Sequence, residues 1–466
     1  MLENSFQTLP DWLHSEVAPT PVEGARLVHV HPGLRDELGL LALSDPELLS
    51  WLNGQSRIPG DQRIATRYAG HQFGVWAGQL GDGRAISLGE FVTPTRGRLE
   101  VQVKGAGPTP FSRRGDGRAV LRSSVREYLC SIAMKGLQIP TSEVLALIAG
   151  KEPVQRETVE TAALVARVFP TNVRFGHFEL CRHFNRPGEF DALTQYTREL
   201  FFPECTIEEM LREITRRTAH LMAAWQDVGF CHGVMNTDNF SVLGFTLDYG
   251  PFGFLEDTRL DHVCNHSDHE GRYAYHRQPD VGVWNLERFL ACFRDLVPVE
   301  RLTQILDAYF HDFKSETERR IRLKLGLLTA RDSDSALFLD LLRTLHDLRT
   351  DFTWFFRNLA QPGFGKGGEI PSGDLQGWLK RYQERLALEG RDEGERSRAM
   401  LQNNPKFILR NYIAQEVIEA VSRGSERELR DWIRILENPF DEHSGFEDYA
   451  EPTPQSFKHF EISCSS

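Results

Sequence analysis

The sequence predicts an α+β chain with a small β-rich front, one helix set inside it, and a large helical back. Three observations carry this. Glycines stand at 70, 74, 78, 81 and 83 and lead into two short segments of strand texture. A single stretch of helical spacing, 120–137, interrupts the strand-like segments. Beyond Trp284 the apolar residues recur almost wholly at helical spacing. The composition, 40% hydrophobic and 26% charged over 466 residues, is that of a chain able to bury a large core. At about 150 residues per domain the length suggests about three units, or a two-lobed body with a long extension.

The elements follow in order. Residues 1–60 mix short apolar pieces with prolines and read as an extended leader, with Ser44 or Asp45 able to cap a short helix through Trp51. Residues 85–91 and 99–104 read as strands around a turn at 93–98, with Leu99, Val101 and Val103 sharing one face. In 120–137, Leu121, Val125, Tyr128, Leu129 and Ile132 form a helical stripe, and Gly136 stands near its end. Residues 144–148 and 162–168 read as strands. Residues 207–228 form a long amphipathic helix with Met210, Leu211, Ile214, Leu221, Met222 and Trp225 on its apolar face. A loop at 231–239 and a short hairpin-like piece at 241–248 come next. Helices are then expected over 285–293, 302–313, 336–357, 374–388, 406–422 and 426–436.

Lys+Arg is 54 and Asp+Glu is 66, a net charge of −12. That balance argues against bulk nucleic-acid binding, which needs a basic face, but leaves room for a local basic pocket. No apolar run reaches the roughly 18 residues of a membrane span, and residues 1–17 lack a signal layout. Seven cysteines without a CxxC pair read as a reducing cytoplasm.

Binding a nucleoside triphosphate requires backbone N–H groups close to the phosphates, a cation, and oxygen ligands for a hard divalent metal. Candidates for each occur in an informative order. The stretch Gly78-Gln-Leu-Gly-Asp-Gly-Arg84 precedes a strand, Lys104 ends the next, and Glu127 lies on the following helix. This is the layout of a protein-kinase small lobe, where a Lys–Glu pair holds the lysine on the phosphates. His232-Gly-Val-Met-Asn-Thr-Asp-Asn239 has the length of the kinase catalytic loop, placing Asn239 on its metal-binding asparagine. Asp248-Tyr249-Gly250 is a variant of the metal-binding D-F-G. The predicted architecture is therefore a bilobal protein-kinase-like fold. Its parts would be a leader over 1–64, a small lobe over 65–170, a large lobe over 171–300 and a helical extension over 301–466. One feature breaks the pattern: Val234 stands where a kinase has its base. Asp238 is the nearest carboxylate that could substitute.

The segments R-Y-A-G-H-Q-F-G (67–74), G-Q-L-G-D-G-R-A (78–85), V-K-G-A-G-P-T-P-F-S-R-R-G-D-G-R-A-V-L-R-S-S (103–124), H-G-V-M-N-T-D-N (232–239), D-Y-G-P-F-G-F (248–254) and N-P-K-F-I-L-R-N-Y (404–412), with the terminal Cys464-Ser-Ser, resemble the selenoprotein O family. The likeness is to its bacterial, cysteine-containing members. It implies a pseudokinase fold that moves AMP from ATP to Ser, Thr or Tyr hydroxyls of proteins and releases pyrophosphate, with ATP bound in reverse relative to kinases. Self-modification and substrates among redox-pathway proteins are further expectations. ATP contacts would fall on Gly81, Gly83, Arg84, Lys104, Asp116, Gly117, Arg167, Arg174 and Asp248. Asp238 would be the proton acceptor, and Asn239 and Asp248 the ligands of Mg²⁺ or Mn²⁺. The rivals are a kinase transferring the γ-phosphate, against which Val234 speaks, and a silent scaffold, against which Lys104, Glu127, Asn239 and Asp248 speak together.

Arginine forks suit phosphate oxygens, and Arg84, Arg167 and Arg174 beside Lys104 are what a buried pyrophosphate leaving group would need. Arg167 is the odd residue on its strand, and the plain alternative is an edge-strand arginine reaching solvent. Two further signals are weaker. His262, Cys264, His266, His269 and His276 could ligate zinc, but their spacing matches no standard site and a polar mobile loop is the simpler reading. Cys464 is a candidate redox thiol, with Cys264 in that loop as its expected partner, while Cys130 and Cys292 sit in apolar patterns and should be buried.

Overall fold

A computed structural model describes residues 2–364 and 373–457. It is a mixed α/β molecule with a sheet in front and a helical C-terminal part. The leader is not merely extended. β1 (His14–Glu16) and β2 (Arg26–Val30) join opposite edges of the main sheet. Both are too short to show a period, which is why the sequence reads as irregular there. Between them and the glycine-rich stretch come α1 (Pro32–Glu37) and α2 (Asp45–Leu52). Ser44 caps α2 in a reciprocal box with Glu47. Leu48, Trp51 and Leu52 are fully buried against the sheet, each contributing about 1.5–3 kcal/mol of transfer free energy.

β3 (Ile64–Thr66) continues the sheet, and β4 (Ala69–Gln72) with β5 (Val75–Gln79) forms a separate hairpin. Phe73 and Gly74 both have positive φ, the turn that matches strand twist. β6 (Ala85–Thr93), β7 (Gly97–Lys104) and the short β8 (Ala119–Val120) follow, then α3 (Leu121–Gly136), β9 (Glu143–Gln155) and β10 (Val159–Phe169). The order is β1-β3-β6-β7-β10-β9-β2, antiparallel throughout, with β8 added to β10. Leu99, Val101 and Val103 are buried on the expected face, and Glu100, Gln102 and Lys104 are buried on the other. β10 lies between β7 and β9, so Arg167 sits on a central strand opposite Gln102. This overturns the edge-strand alternative.

The helical part holds α4 (Phe175–His183), α5 (Pro187–Phe201) and α6 (Ile207–Asp227), then the two-stranded pair β11 (Phe230–Cys231) and β12 (Gly253–Phe254), and α7 (Gln278–Ala291). α4 and α5 have weaker spacing signals and were not legible. The 241–248 piece is a turn held by isolated bridges, Phe240 to Thr246 and Thr141 to Thr246, not a strand hairpin. α8 (Val299–Leu325), α9 (Asp334–Leu348) and α10 (Phe352–Leu359) follow. The helix expected over 336–357 is broken because Arg349 takes a left-handed conformation and Asp351 caps α10 through the Trp354 N–H at 2.9 Å. α11 (Gly373–Ala387), α12 (Glu393–Leu401), α13 (Asn411–Ser422) and α14 (Arg427–Glu437) complete the chain. α13 begins five residues later than the spacing predicts. α3 packs against the sheet on one side and α13 and α14 on the other. No described helix is long and apolar enough to cross a membrane.

Candidate active site

The sheet and the helical part meet at a cleft of about 690 Å³. Lys104 enters it from the end of β7, Arg167 from β10, and Asp248 from the segment after β11. Lys104 Nζ donates to Glu127 Oε2 at 2.6 Å and to Asp248 Oδ1 at 2.8 Å. Arg167 donates to the same two carboxylates, through Nε to Glu127 and Nη2 to Asp248. Two cations and two carboxylates thus close a ring. Burial alone would raise the Asp248 carboxyl, but Arg167 and Lys104 hold it well below the usual range. Burial, with Arg167 as neighbour, lowers the Lys104 ammonium. A buried ring of this kind is balanced only while all four members remain.

The glycine-rich turn is fixed from beneath. Asp82 Oδ2 accepts from the Thr66 N–H at 2.8 Å, the Thr66 hydroxyl at 2.6 Å and Asn172 Nδ2 at 3.1 Å. Gly81 has φ +148°, and a Cβ there would stand 2.6 Å from the Phe111 ring. Only glycine lets the turn lie this close to the 108–117 loop. Asn172 also accepts from Arg174, through Nε at 3.1 Å and Nη2 at 2.8 Å. Arg174 Nη1 in turn donates to the Asp238 carbonyl at 3.0 Å. One asparagine therefore ties the glycine turn to the loop that carries Asp238.

Asp238 lies in a short 3-10 turn, Thr237–Asn239, pressed against β4 and the start of α4. The His71 N–H donates to Thr237 Oγ1 at 2.8 Å and the Phe73 N–H to Asn236 Oδ1 at 3.2 Å, so the β4–β5 hairpin clamps the loop. Asp238 is buried, lines the cleft, and its Oδ1 has no hydrogen-bond partner. Burial pushes its carboxyl up to about 7, against the pull of Arg174. A carboxyl raised into the neutral range is suited to taking up a proton at physiological pH.

All nine residues expected to contact ATP line this one cleft, Gly81, Gly83, Arg84, Lys104, Asp116, Gly117, Arg167, Arg174 and Asp248, and Asp238, the expected base, lines it beside them. Asp116 is engaged by Arg156 at 2.7 Å, which holds it below the usual carboxylate range. Glu127 stands behind the cleft, reaching it through Lys104 and Arg167. Asn239 stands beside the lining, and its Nδ2 donates to the Val234 carbonyl at 2.8 Å. That bond fixes the amide so that Oδ1 is the atom left to act as ligand. With Asp248, held ionised by Arg167 and Lys104, the pair could offer hard oxygen donors to a divalent cation.

Other expectations are corrected. Cys264 is not in an open polar loop: it is buried, its Sγ donates to the Cys231 carbonyl at 3.3 Å, and burial raises its thiol well above the usual value. The loop folds back over β11, where the His262 and Tyr273 carbonyls face Cys231. Cys464 lies outside the described residues. Cys130 and Cys292 are buried, as their patterns predict. Among the described residues no three His, Cys, Asp or Glu side chains are grouped to hold a metal, so the histidines near Cys264 form no such cluster. Residues missed by sequence reasoning are Tyr68, Asp82, Phe111, Arg113, Arg114, Arg156 and Asn172. Arg113 and Arg114 are exposed on the cleft wall. Their double-arginine run beside the glycines at 115 and 117 was the available signal.

The family model described as protein adenylyltransferase SelO matches residues 1–437. The chain belongs to that family. Its relatives include the protein nucleotidyltransferase YdiU of Bordetella petrii, 48% identical with 100% of this chain and 98% of the relative covered. The protein of the same name from Bordetella avium is 47% identical, with 100% and 98% covered. That of Aeromonas hydrophila is 43% identical, with 100% of both covered.

Proposed function

We propose that this adenylyltransferase works through a bilobal, protein-kinase-like body, with lobes over 65–170 and 171–300, the 1–64 leader bound to them and the helical extension over 301–466 behind. ATP occupies the cleft in reverse, its β- and γ-phosphates toward Lys104, Arg167, Arg84 and Arg174 and its α-phosphate toward Asp238. The acceptor is a Ser, Thr or Tyr hydroxyl of a protein, which can include the enzyme itself. The hydroxyl oxygen attacks the α-phosphorus, its proton passes to the Asp238 carboxylate, and the bond to the β-phosphate breaks to release pyrophosphate. The divalent ion, held by Asn239 and Asp248, supplies charge neutralisation to the phosphates when bound. Lys104, Arg167 and the exposed Arg84 offset the charge that grows on the departing pyrophosphate. Glu127 does not touch substrate; it keeps Lys104 and Arg167 in position.

The observation that carries this reading is the Asp238 carboxylate. It lines the cleft with a raised affinity for protons, in the same loop as Val234, which can accept no proton. Intact-mass analysis after incubation with ATP and Mg²⁺ tests it. An increment of one adenylyl group on the enzyme or on an added protein acceptor is expected, and an increment of one phosphoryl group would restore the kinase reading.

A further inference from the structure

Tyr68 belongs to the 67–74 segment, and none of the roles above uses it. Its ring is buried, yet it lines the cleft. Its backbone is fixed, since its carbonyl accepts from the Leu80 N–H at 2.8 Å. Its ring is fixed as well. The Arg174 guanidinium lies over one face at 4.7 Å from the centroid, and His177 meets it edge-on at 5.4 Å. None of the side-chain hydrogen bonds among the described residues involves its hydroxyl, and Tyr68 is part of the cleft lining. Buried phenols normally have a partner.

The surroundings say what the missing partner is. Asp82, Asp238, Asp248 and Arg174 line the same cleft as Tyr68, the groups that would surround the α-phosphate. Of the carboxylates near it, Asp82 is engaged by Thr66 and Asn172 and Asp248 by Lys104 and Arg167, while Asp238 keeps one unpartnered oxygen that is turned toward Gly70. Burial raises the phenol's pKa, so it keeps its proton and is able to donate a hydrogen bond. A rigid, protonated donor aimed into a cleft of phosphate-binding cations is suited to an anionic oxygen.

We propose that Tyr68 is a further catalytic residue, whose hydroxyl donates a hydrogen bond to a non-bridging oxygen of the α-phosphate as the acceptor attacks. The phenol keeps its proton throughout, so no bond to Tyr68 forms or breaks. The inference rests on the reading that the α-phosphate sits beside Asp238. Because the ring is held by Arg174 and His177, Tyr68→Phe removes the donor and nothing else.

The test compares wild type and Tyr68→Phe in steady-state transfer from α-labelled ATP, in affinity for a non-hydrolysable ATP analogue, and in urea unfolding. The expected result is a fall in kcat of about 10–100-fold, the loss of one preorganised donor to a charged oxygen. The KM for ATP and the analogue affinity should stay within about twofold, and the unfolding midpoint should not fall, because the hydroxyl has no protein partner to lose. A variant with wild-type kcat overturns the proposal. So does one that fails to fold, which would make the hydroxyl structural, or a loss confined to affinity, which would make it a uniform binding contact. An AMP adduct found on Tyr68 itself would make it an acceptor and overturn the proposal too. A wild type that transfers no α-label refutes the adenylyl reading itself and this inference with it, an outcome distinct from any difference between the two proteins.

Discussion

Removing the Glu127 charge should unbalance the ring that positions the phosphate-binding cations. Glu127 is 2% exposed and divides its two oxygens between Lys104, at 2.6 Å, and Arg167. In Glu127→Gln those two cations are left with Asp248 alone, an excess of one buried positive charge. Breaking a buried pair from one side costs about 3–5 kcal/mol, and glutamine keeps the volume and one acceptor oxygen, so a loss of about 3 kcal/mol is expected. With a urea slope of about 3 kcal/mol/M, the unfolding midpoint should fall by about 1 M. Lys104→Met should also destabilise, by leaving two carboxylates on Arg167. The double variant keeps Arg167 with Asp248, one charge of each sign, and should recover about 2 kcal/mol relative to the sum of the singles. It should not recover transfer, since the cation that Glu127 positions is gone. Urea titration of the four proteins, with a transfer assay beside it, measures this. Stabilities that add within about 0.5 kcal/mol, or a Glu127→Gln protein as stable as wild type, would refute the closed ring.

Asp238→Asn should bind ATP with near wild-type affinity by calorimetry while transfer falls by about 10²–10⁴-fold, as for loss of a general base. In the wild type the ionised form is the active one, and Asp238 is raised to about 7. Between pH 8 and pH 6 the transfer rate should therefore drop by about tenfold, following the ionised fraction of a single group. The sign for stability is opposite: the folded state binds this proton more tightly than the unfolded chain, so Asp238 contributes stability at acid pH that is lost as pH rises through about 7. A Cβ at Gly70 would stand 2.7 Å from Thr237 Oγ1 and 3.0 Å from Asp238 Oδ1; Gly70→Ala should lower kcat by at least about tenfold through displacement of the loop, read in the same assay. Under native conditions, peptide mapping with a thiol reagent should label Cys205 ahead of the other five described cysteines, which are buried.

The long amphipathic pieces were legible from the sequence because each presents one apolar face: α3, α6 and β7 fall within a residue or two of their expected bounds. The cleft was legible through its glycines, Lys104 and the 232–239 and 248–250 segments, whose chemistry depends on residue type and order. What escaped depends on contacts distant in sequence. β1 and β2 are strands because β3 and β9 offer them edges. Cys264 is buried because its loop folds back on β11, which no local pattern announces. Nothing in the local sequence around Asn172, Asp82 or Tyr68 marks them out. Their importance lies in which side chains they meet, or in the partner they lack.

The measurement that bears most directly on the account is a pair of parallel incubations with a protein acceptor and a divalent ion, one with ATP labelled at the α-phosphate and one with ATP labelled at the γ-phosphate. Label should enter protein from the α position only, with the γ label leaving in pyrophosphate, and incorporation should fall sharply in Asp238→Asn. Label entering from the γ position only would contradict the account.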